Sequence, residues 1–249
     1  APDSWDTLAP MPTGPSGKKP RDGVDFTFDP NYPTPTGPGR IWAIKGSGRP
    51  DFYYYDIAND TWVDRRGMIV TYRDWPYSKR GYRSPRRGAA IEYVAEAGTQ
   101  GSVYGIPGHA SNYFWRYDIA SDSWFYPHDS VYAEWQGRPY YQYIPLDVPT
   151  GPYSKKCKYG SDLAYLNGIV YVLKGSNTVE AYGFSHIMNA WPETLDMNSF
   201  YGMGYRRVKR GGALVANGDR LYALKGGNTQ QFWHYNFVAD SWKQSTDIP

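Results

Sequence analysis

Four copies of one pattern run through the sequence, and this repetition restricts the fold more than any other feature does. Four blocks of 22 residues align without a gap, and each opens on an apolar residue and closes on a tryptophan. The blocks are Ile41 to Trp62, Val103 to Trp124, Val170 to Trp191 and Leu221 to Trp242. The sixth residue of every block is a glycine. Such regularity indicates that each copy forms one small structural unit, which buries its apolar surface against its neighbours.

Each repeat is predicted to contain four short β-strands. Apolar and aromatic residues alternate inside the blocks, as in Phe52 to Asp56, and the shared glycine marks a turn. A further strand is predicted before each block, where a second aligned glycine opens an apolar segment. These glycines are Gly23, Gly88, Gly160 and Gly211. The composition agrees with an all-β chain, since 18% aromatic residues, 27 Gly and 20 Pro suit short strands joined by turns.

The repeats resemble the Kelch family of β-propellers. The residues that carry the resemblance are Pro85-Arg86-Arg87-Gly88, Gly226-Gly227, Tyr117-Asp118 and Trp124. The resemblance covers nearly the whole chain, and the family's double glycine is complete only in the fourth repeat. It implies an all-β, four-bladed propeller with four antiparallel strands per blade. The first strand of each repeat would then line a central channel, and the closing tryptophans would pack between blades.

One domain is expected over residues 1–249, with repeats at about 13–62, 63–124, 125–191 and 192–242. Residues 1–12 are surplus, because Asp3, Ser4 and Trp5 match the end of a block and supply a fifth copy of the fourth strand. This strand closes the fourth blade, or it pairs with another subunit, or the chain belongs to a longer array. A free sheet edge is a template for pairing with another chain, so these residues form a candidate assembly strand.

Basic residues precede the first strand of every repeat. Each repeat carries Lys or Arg two and five residues before the aligned glycine. The eight residues are Lys18, Arg21, Arg83, Arg86, Lys155, Lys158, Arg206 and Lys209. By the resemblance, they would surround one mouth of the channel, where a ring of cations attracts anions. The alternative is structural: these side chains bond local carbonyls and acids, among which Asp25 and Asp162 are plausible partners.

The sequence shows no pattern typical of a catalytic or metal site. Its four histidines lack metal-ligand spacing, and neither a nucleophile elbow nor a phosphate-binding loop is present. We therefore expect no enzyme activity and no cofactor. A remote alternative is a copper enzyme similar to galactose oxidase, which uses Tyr, His and a Tyr–Cys crosslink on a Kelch-type propeller. The single cysteine, Cys157, would have to supply that crosslink; a buried thiol or an intermolecular disulfide are the other interpretations.

These features favour a secreted, non-enzymatic structural or interaction subunit that assembles with copies of itself into an extracellular polymer or filament. The start at Ala1-Pro2 is typical of a chain after signal-peptide removal, or of a trimmed product. The alternatives are a lectin-like or anion- and polysaccharide-binding module, and an adaptor for protein partners. The segment from Phe125 to Lys156, rich in Tyr and Pro, is the expected contact loop. A net charge of +3 gives no reason to expect nucleic acid, and no apolar run is long enough for a membrane span.

Overall fold

The computed structural model describes residues 5–69, 84–135, 138–195 and 207–249. Four of the predicted site residues, Asp3, Ser4, Arg83 and Arg206, lie outside these ranges. Within them the structure is all β: four antiparallel sheets of four strands each and one two-stranded hairpin. The prediction of a four-bladed propeller with four antiparallel strands per blade is confirmed. No helix long and apolar enough to cross a membrane occurs in the described part of the chain.

Every blade is a meander in which each strand pairs with the next along the chain. The first blade consists of β1 (Asp25–Asp29), β2 (Arg40–Ile44), β3 (Phe52–Asp56) and β4 (Thr61–Arg65). The second consists of β5 (Ala90–Val94), β6 (Ser102–Ile106), β7 (Trp115–Asp118) and β8 (Ser123–Phe125). A hairpin of β9 (His128–Trp135) and β10 (Arg138–Pro145) follows. The third blade contains β11 (Asp162–Leu166), β12 (Ile169–Leu173), β13 (Ala181–Ser185) and β14 (Ala190–Leu195). The fourth contains β15 (Ala213–Asn217), β16 (Arg220–Leu224), β17 (Phe232–Asn236) and β18 (Ser241–Gln244).

The strand register defines two ends of the propeller. In the first blade, Asp25 pairs with Ile44, Ile44 with Phe52, and Phe52 with Arg65. The start of β1, the β2–β3 turn and the end of β4 therefore lie at one end, which we call the mouth end. Gly46 in that turn has a φ of 66°, and a Cβ there would lie 2.5 Å from the carbonyl oxygen of Asp22. Only glycine fits such a close approach of two turns.

Three apolar clusters fill the spaces between consecutive blades. Trp42 and Phe52 of the first blade pack against Trp115 and Trp124 of the second. Tyr104, Phe114 and Phe184 are among the residues that join the second and third blades, and Leu173, Trp233 and Trp242 are among those that join the third and fourth. Each such aromatic side chain contributes about 2–3 kcal/mol when it leaves water. Of the closing tryptophans, Trp124 and Trp242 are buried in these clusters and Trp191 packs against one, while Trp62 contacts Tyr55 of its own blade.

Candidate functional site

The mouth end places one predicted basic residue at the same backbone position in each repeat. The N–H groups of Arg21, Arg86 and Lys209 donate to the carbonyls just before the turn glycines, at 3.4, 3.1 and 3.0 Å. In the third repeat the Ser161 hydroxyl mediates this link, accepting from the N–H of Lys158 and donating to the carbonyl of Lys174. The repeated backbone frame thus holds these four residues in equivalent positions.

Four residues that the sequence analysis did not single out line a hollow at the mouth end. Each of them directly follows one of the four basic residues just described. A hollow of about 330 Å³ is lined by Asp22, Arg87, Tyr159 and Arg210 together with the neighbouring glycines and strand starts. Arg87 donates to Asp22 at 2.9 Å and to the Tyr159 hydroxyl. The hydrogen bond from Arg87 lowers the pKa of Asp22 below its usual value. These four residues share one column of the repeat alignment, directly before the aligned glycine, and that column could have identified them.

A second cavity at the mouth end, which we call the cationic pocket, gathers part of the predicted set. It has a volume of about 640 Å³. The described residues lining it are Ala110, Ser154, Lys155, Lys156, Lys158, Tyr159, Ser176, Asn177, Lys209 and Arg210. Five of these ten are basic and none is acidic. Lys155, Lys158 and Lys209 were predicted, whereas Lys156 and Arg210 were not.

Of the other predicted cations, the three that the structure describes, Lys18, Arg21 and Arg86, do not line this pocket. Lys18 and Arg21 belong to the first repeat, where the Lys18 N–H donates to Ser16. Arg86 lies along Gly48 in the turn of the first blade. The six described members of the predicted set therefore divide into three that line the cationic pocket and three that lie outside it.

Asp25 and Asp162 accept hydrogen bonds from backbone groups, and within the described ranges neither carboxyl group forms an ion pair with a basic residue. Asp25 accepts the N–H of Ile91 at 2.8 Å, and Asp162 accepts the N–H of Leu214 at 2.6 Å. Glu92 links the second and third blades in the same way, accepting the N–H of Tyr165 at 3.0 Å. These carboxyl groups hold neighbouring inner strands together. Burial raises the pKa of Glu92 to about 7 and that of Asp162 to about 6.

These raised pKa values predict a propeller that is more stable in mild acid. Glu92 binds its proton more tightly in the folded state, so stability is lost as pH rises from about 4.5 to 7, by roughly 2–3 kcal/mol. We expect a higher melting temperature at pH 5 than at pH 8. Glu92→Gln keeps an oxygen for the Tyr165 N–H and should reduce this difference. An equal difference in the variant would show that Glu92 is not its source.

The described part of the surplus N-terminal segment contacts the first blade. Residues 5–13 form no strand, and Trp5 is fully exposed. Ala9 donates its N–H to Asp60 and accepts the Trp62 indole N–H, both at 2.8 Å. Arg66 makes the same two bonds to Asp122 and Trp124 in the second blade. Ala9 of this segment thus occupies the place that Arg66 occupies before the second blade. Closure of the fourth blade by this segment and its pairing with another molecule both stay predictions.

The predicted contact loop forms the β9–β10 hairpin. The Leu146 N–H donates to Pro127 at the hairpin base, and Trp191 donates to the Leu146 carbonyl at 3.1 Å. The segment thus follows the last strand of the second blade and contacts Trp191 of the third blade through Leu146. It ends at Lys155 and Lys156, which line the cationic pocket. Its role in contacts with a partner stays a prediction.

Cys157 is a free thiol that is completely buried, and burial raises its pKa to about 12. Such a thiol is a poor nucleophile. Across the described ranges, no three His, Cys, Asp or Glu side chains are grouped so that they could hold a metal ion. The pocket as described can attract and hydrogen-bond anions.

No family model matches the chain. It is similar to the Protein VP3 of Rotavirus A: 24% identical over 181 residues in a monkey isolate, covering 70% of this chain and 20% of VP3. In a human strain the identity is 26% over 157 residues, covering 60% of this chain and 17% of VP3. The chain therefore spans about a fifth of the length of the curated relatives it matches.

The chain also shows low similarity to solved structures of other proteins. YjhT superposes with a TM-score of 0.49 at 12% identity, covering 92% of this chain and 66% of YjhT. U3-55K gives 0.47 at 9% identity, covering 91% and 53%. A fungal alcohol oxidase of the AA5 family, in complex with copper, gives 0.44 at 12% identity, covering 91% and 53%. At identities this low, the similarity concerns the fold alone.

Proposed function

We propose that the protein is a non-enzymatic, Kelch-type β-propeller that serves as an interaction subunit and binds acidic polymers, such as acidic polysaccharides, at its mouth end. The observation that carries this proposal is the cationic pocket, where five basic residues line one cavity without an acidic residue in its described lining. We also propose an extracellular or cell-surface location, where acidic polysaccharides are available.

The contrast with other cations of the same chain supports a binding role. Several cations outside the pocket are paired with carboxylates: Arg40 with Asp29 at 2.8 Å, for example, and Arg116 with Glu96 at 3.0 Å. Within the described ranges, no ion pair joins any of the five pocket cations to a carboxylate. Like charges gathered in a concave site repel one another and raise the local potential, which favours a polyanion. Tyr159 adds an aromatic face, with the Lys158 ammonium 5.3 Å from its ring centre.

Neutralising two pocket cations tests this proposal. We expect Lys158→Gln with Lys209→Gln to weaken binding of heparin, used as the probe, about tenfold, or about 0.7 kcal/mol per charge. Raised salt should weaken wild-type binding as well. Titration calorimetry measures the affinity. The melting temperature should stay nearly unchanged, because Lys209 is exposed, Lys158 is only half-buried and neither forms an ion pair within the described ranges.

The matched control is Lys18→Gln with Arg21→Gln. These residues occupy the basic columns of the first repeat but lie outside the pocket, and the double change removes the same net charge. We expect it to weaken heparin binding by less than about twofold, because net charge alone contributes little at moderate salt. An equal loss in both double variants would contradict a localised site.

A second candidate function is that of a structural subunit that assembles with copies of itself into a polymer or filament. The specific observation that favours it is a pair of open apolar blade faces, on the first and fourth blades. Phe26, Phe28 and Val215 are more than half exposed there. Sedimentation of the purified chain over a wide concentration range tests this function, and a strictly monomeric chain would contradict it.

A further inference from the structure

At three of the junctions between blades, the aligned glycine before the inner strand of one blade lies against a backbone carbonyl of the next blade. A Cβ on Gly23 would clash with the carbonyl of Arg86, one on Gly88 with that of Lys158, and one on Gly160 with that of Lys209. Each of these carbonyls belongs to the next repeat. At Gly211 the nearest atom would be Cα of Gly226 in its own blade, 3.8 Å away. Among the described residues, no following blade therefore approaches the fourth blade at this position.

The inner strands follow the same rule. In each of these three junctions, a side chain two or four residues after the aligned glycine of one blade accepts a hydrogen bond from the next blade. The donor is the backbone N–H of the residue three or five positions after that next blade's aligned glycine. The pairs are Asp25 with Ile91, Thr27 with Tyr93, Glu92 with Tyr165, and Asp162 with Leu214. In the fourth blade these positions hold Ala213 and Val215, and a following first blade would present Phe26 and Phe28. The fourth junction would thus be apolar on both sides.

Both halves of that junction are exposed to solvent. Phe26 is 61% exposed, Phe28 is 52% exposed and Val215 is 58% exposed. None of them belongs to the three apolar clusters that join the other blades. Apolar side chains in equivalent positions of the other inner strands, such as Ile91, Leu163 and Leu214, are buried.

We propose that the first blade of a second copy docks on the fourth blade of this chain, placing Phe26 and Phe28 over Ala213 and Val215. This inference rests on the self-assembly function proposed above and names its contact surface. The second copy is the occupant because this chain itself carries both halves, in the positions that form its three internal junctions. The contact is head-to-tail, so its repetition closes a larger ring or extends a polymer.

Charged substitutions in the full-length chain test the contact. We expect the wild-type chain to associate in sedimentation velocity, and Val215→Asp or Phe26→Asp to weaken association at least about tenfold, because a lone charge would be buried. The control Val238→Asp changes the same residue type in the same blade, at a fully exposed turn, and should associate like the wild type. Thermal melts should show that all three variants are folded.

Paired cysteines distinguish the possible occupants. A Val215→Cys chain mixed with a Phe26→Cys chain should form a disulfide-linked dimer under oxidation, while neither variant alone should; the buried Cys157 does not compete. If both cysteines in one chain instead crosslink within that chain, the propeller closes on itself and the inference is wrong. Association that survives Val215→Asp and Phe26→Asp would retain self-assembly and overturn this surface. A wild-type chain that stays monomeric would overturn both.

Discussion

Gly88→Ala is expected to destabilise the propeller by about 4 kcal/mol. Gly88 has a φ of 77°, where an alanine costs about 1–2 kcal/mol. A Cβ there would also clash with the backbone carbonyl of Lys158 in the next blade, and such overpacking costs about 1–3 kcal/mol more. Chemical denaturation of the purified variant measures the change in the free energy of unfolding.

Gly211→Ala is the matched control for this prediction. Gly211 has nearly the same φ, 82°, but among the described residues no atom lies closer than 3.8 Å to its added Cβ. We expect a loss of only about 1–2 kcal/mol, from the backbone conformation alone. Equal losses at Gly88 and Gly211 would mean that the packing of the second blade against the third does not depend on the close approach at Gly88.

Glu180→Ala is expected to cost about 3–5 kcal/mol, because it leaves a buried ammonium group without its counter-charge. Lys174 is completely buried, and its Nζ lies 3.2 Å from the Glu180 carboxylate. It also donates to the carbonyls of Pro149 and Thr150, which fixes the linker before the third blade to that blade. Thermal and chemical denaturation of the variant measure the loss.

Glu180→Gln should be tolerated better than Glu180→Ala. The fourth blade already has this arrangement, because Lys225 and Gln231 stand at the corresponding positions. Burial lowers the pKa of Lys225 to about 8. We expect the Gln variant to lose less stability than the Ala variant, because its amide oxygen can still accept a hydrogen bond from the Lys174 ammonium. A Gln variant as unstable as the Ala variant would contradict this account.

The all-β class, the four repeats and the four strands of each were all predictable from the sequence. Two features of the ungapped blocks predict the strands: the constant spacing between glycine and tryptophan, and the alternation of apolar residues within each strand. Both signals are local, because a strand's periodicity and a turn's need for glycine depend on neighbouring residues. In the second repeat the Tyr117 hydroxyl donates a hydrogen bond to Asp122. The third repeat has Phe184 and Asn189 at these positions and still forms its four strands, so the strand prediction does not depend on that bond.

The basic columns were also visible, but their grouping was not. Lys158 and Lys209 share a pocket, whereas Arg21 occupies the same column and lies elsewhere. The partners of Asp25 and Asp162 proved to be backbone groups of the next blade. The spacing of residues in the sequence predicts neither result, because the direction of a side chain and the path of a loop depend on which blades pack against each other.

What the sequence alone determined is the repeating unit: its strands, its turns and the positions that point into the sheet. Which units meet was decided only by the tertiary structure, where three junctions bury aromatic clusters and the fourth leaves Phe26 and Val215 in water. The physical reason is that strand formation depends on short-range backbone sterics and periodicity, whereas burial depends on the shape and number of blades around the axis. Identical columns can therefore be buried at one junction and exposed at another.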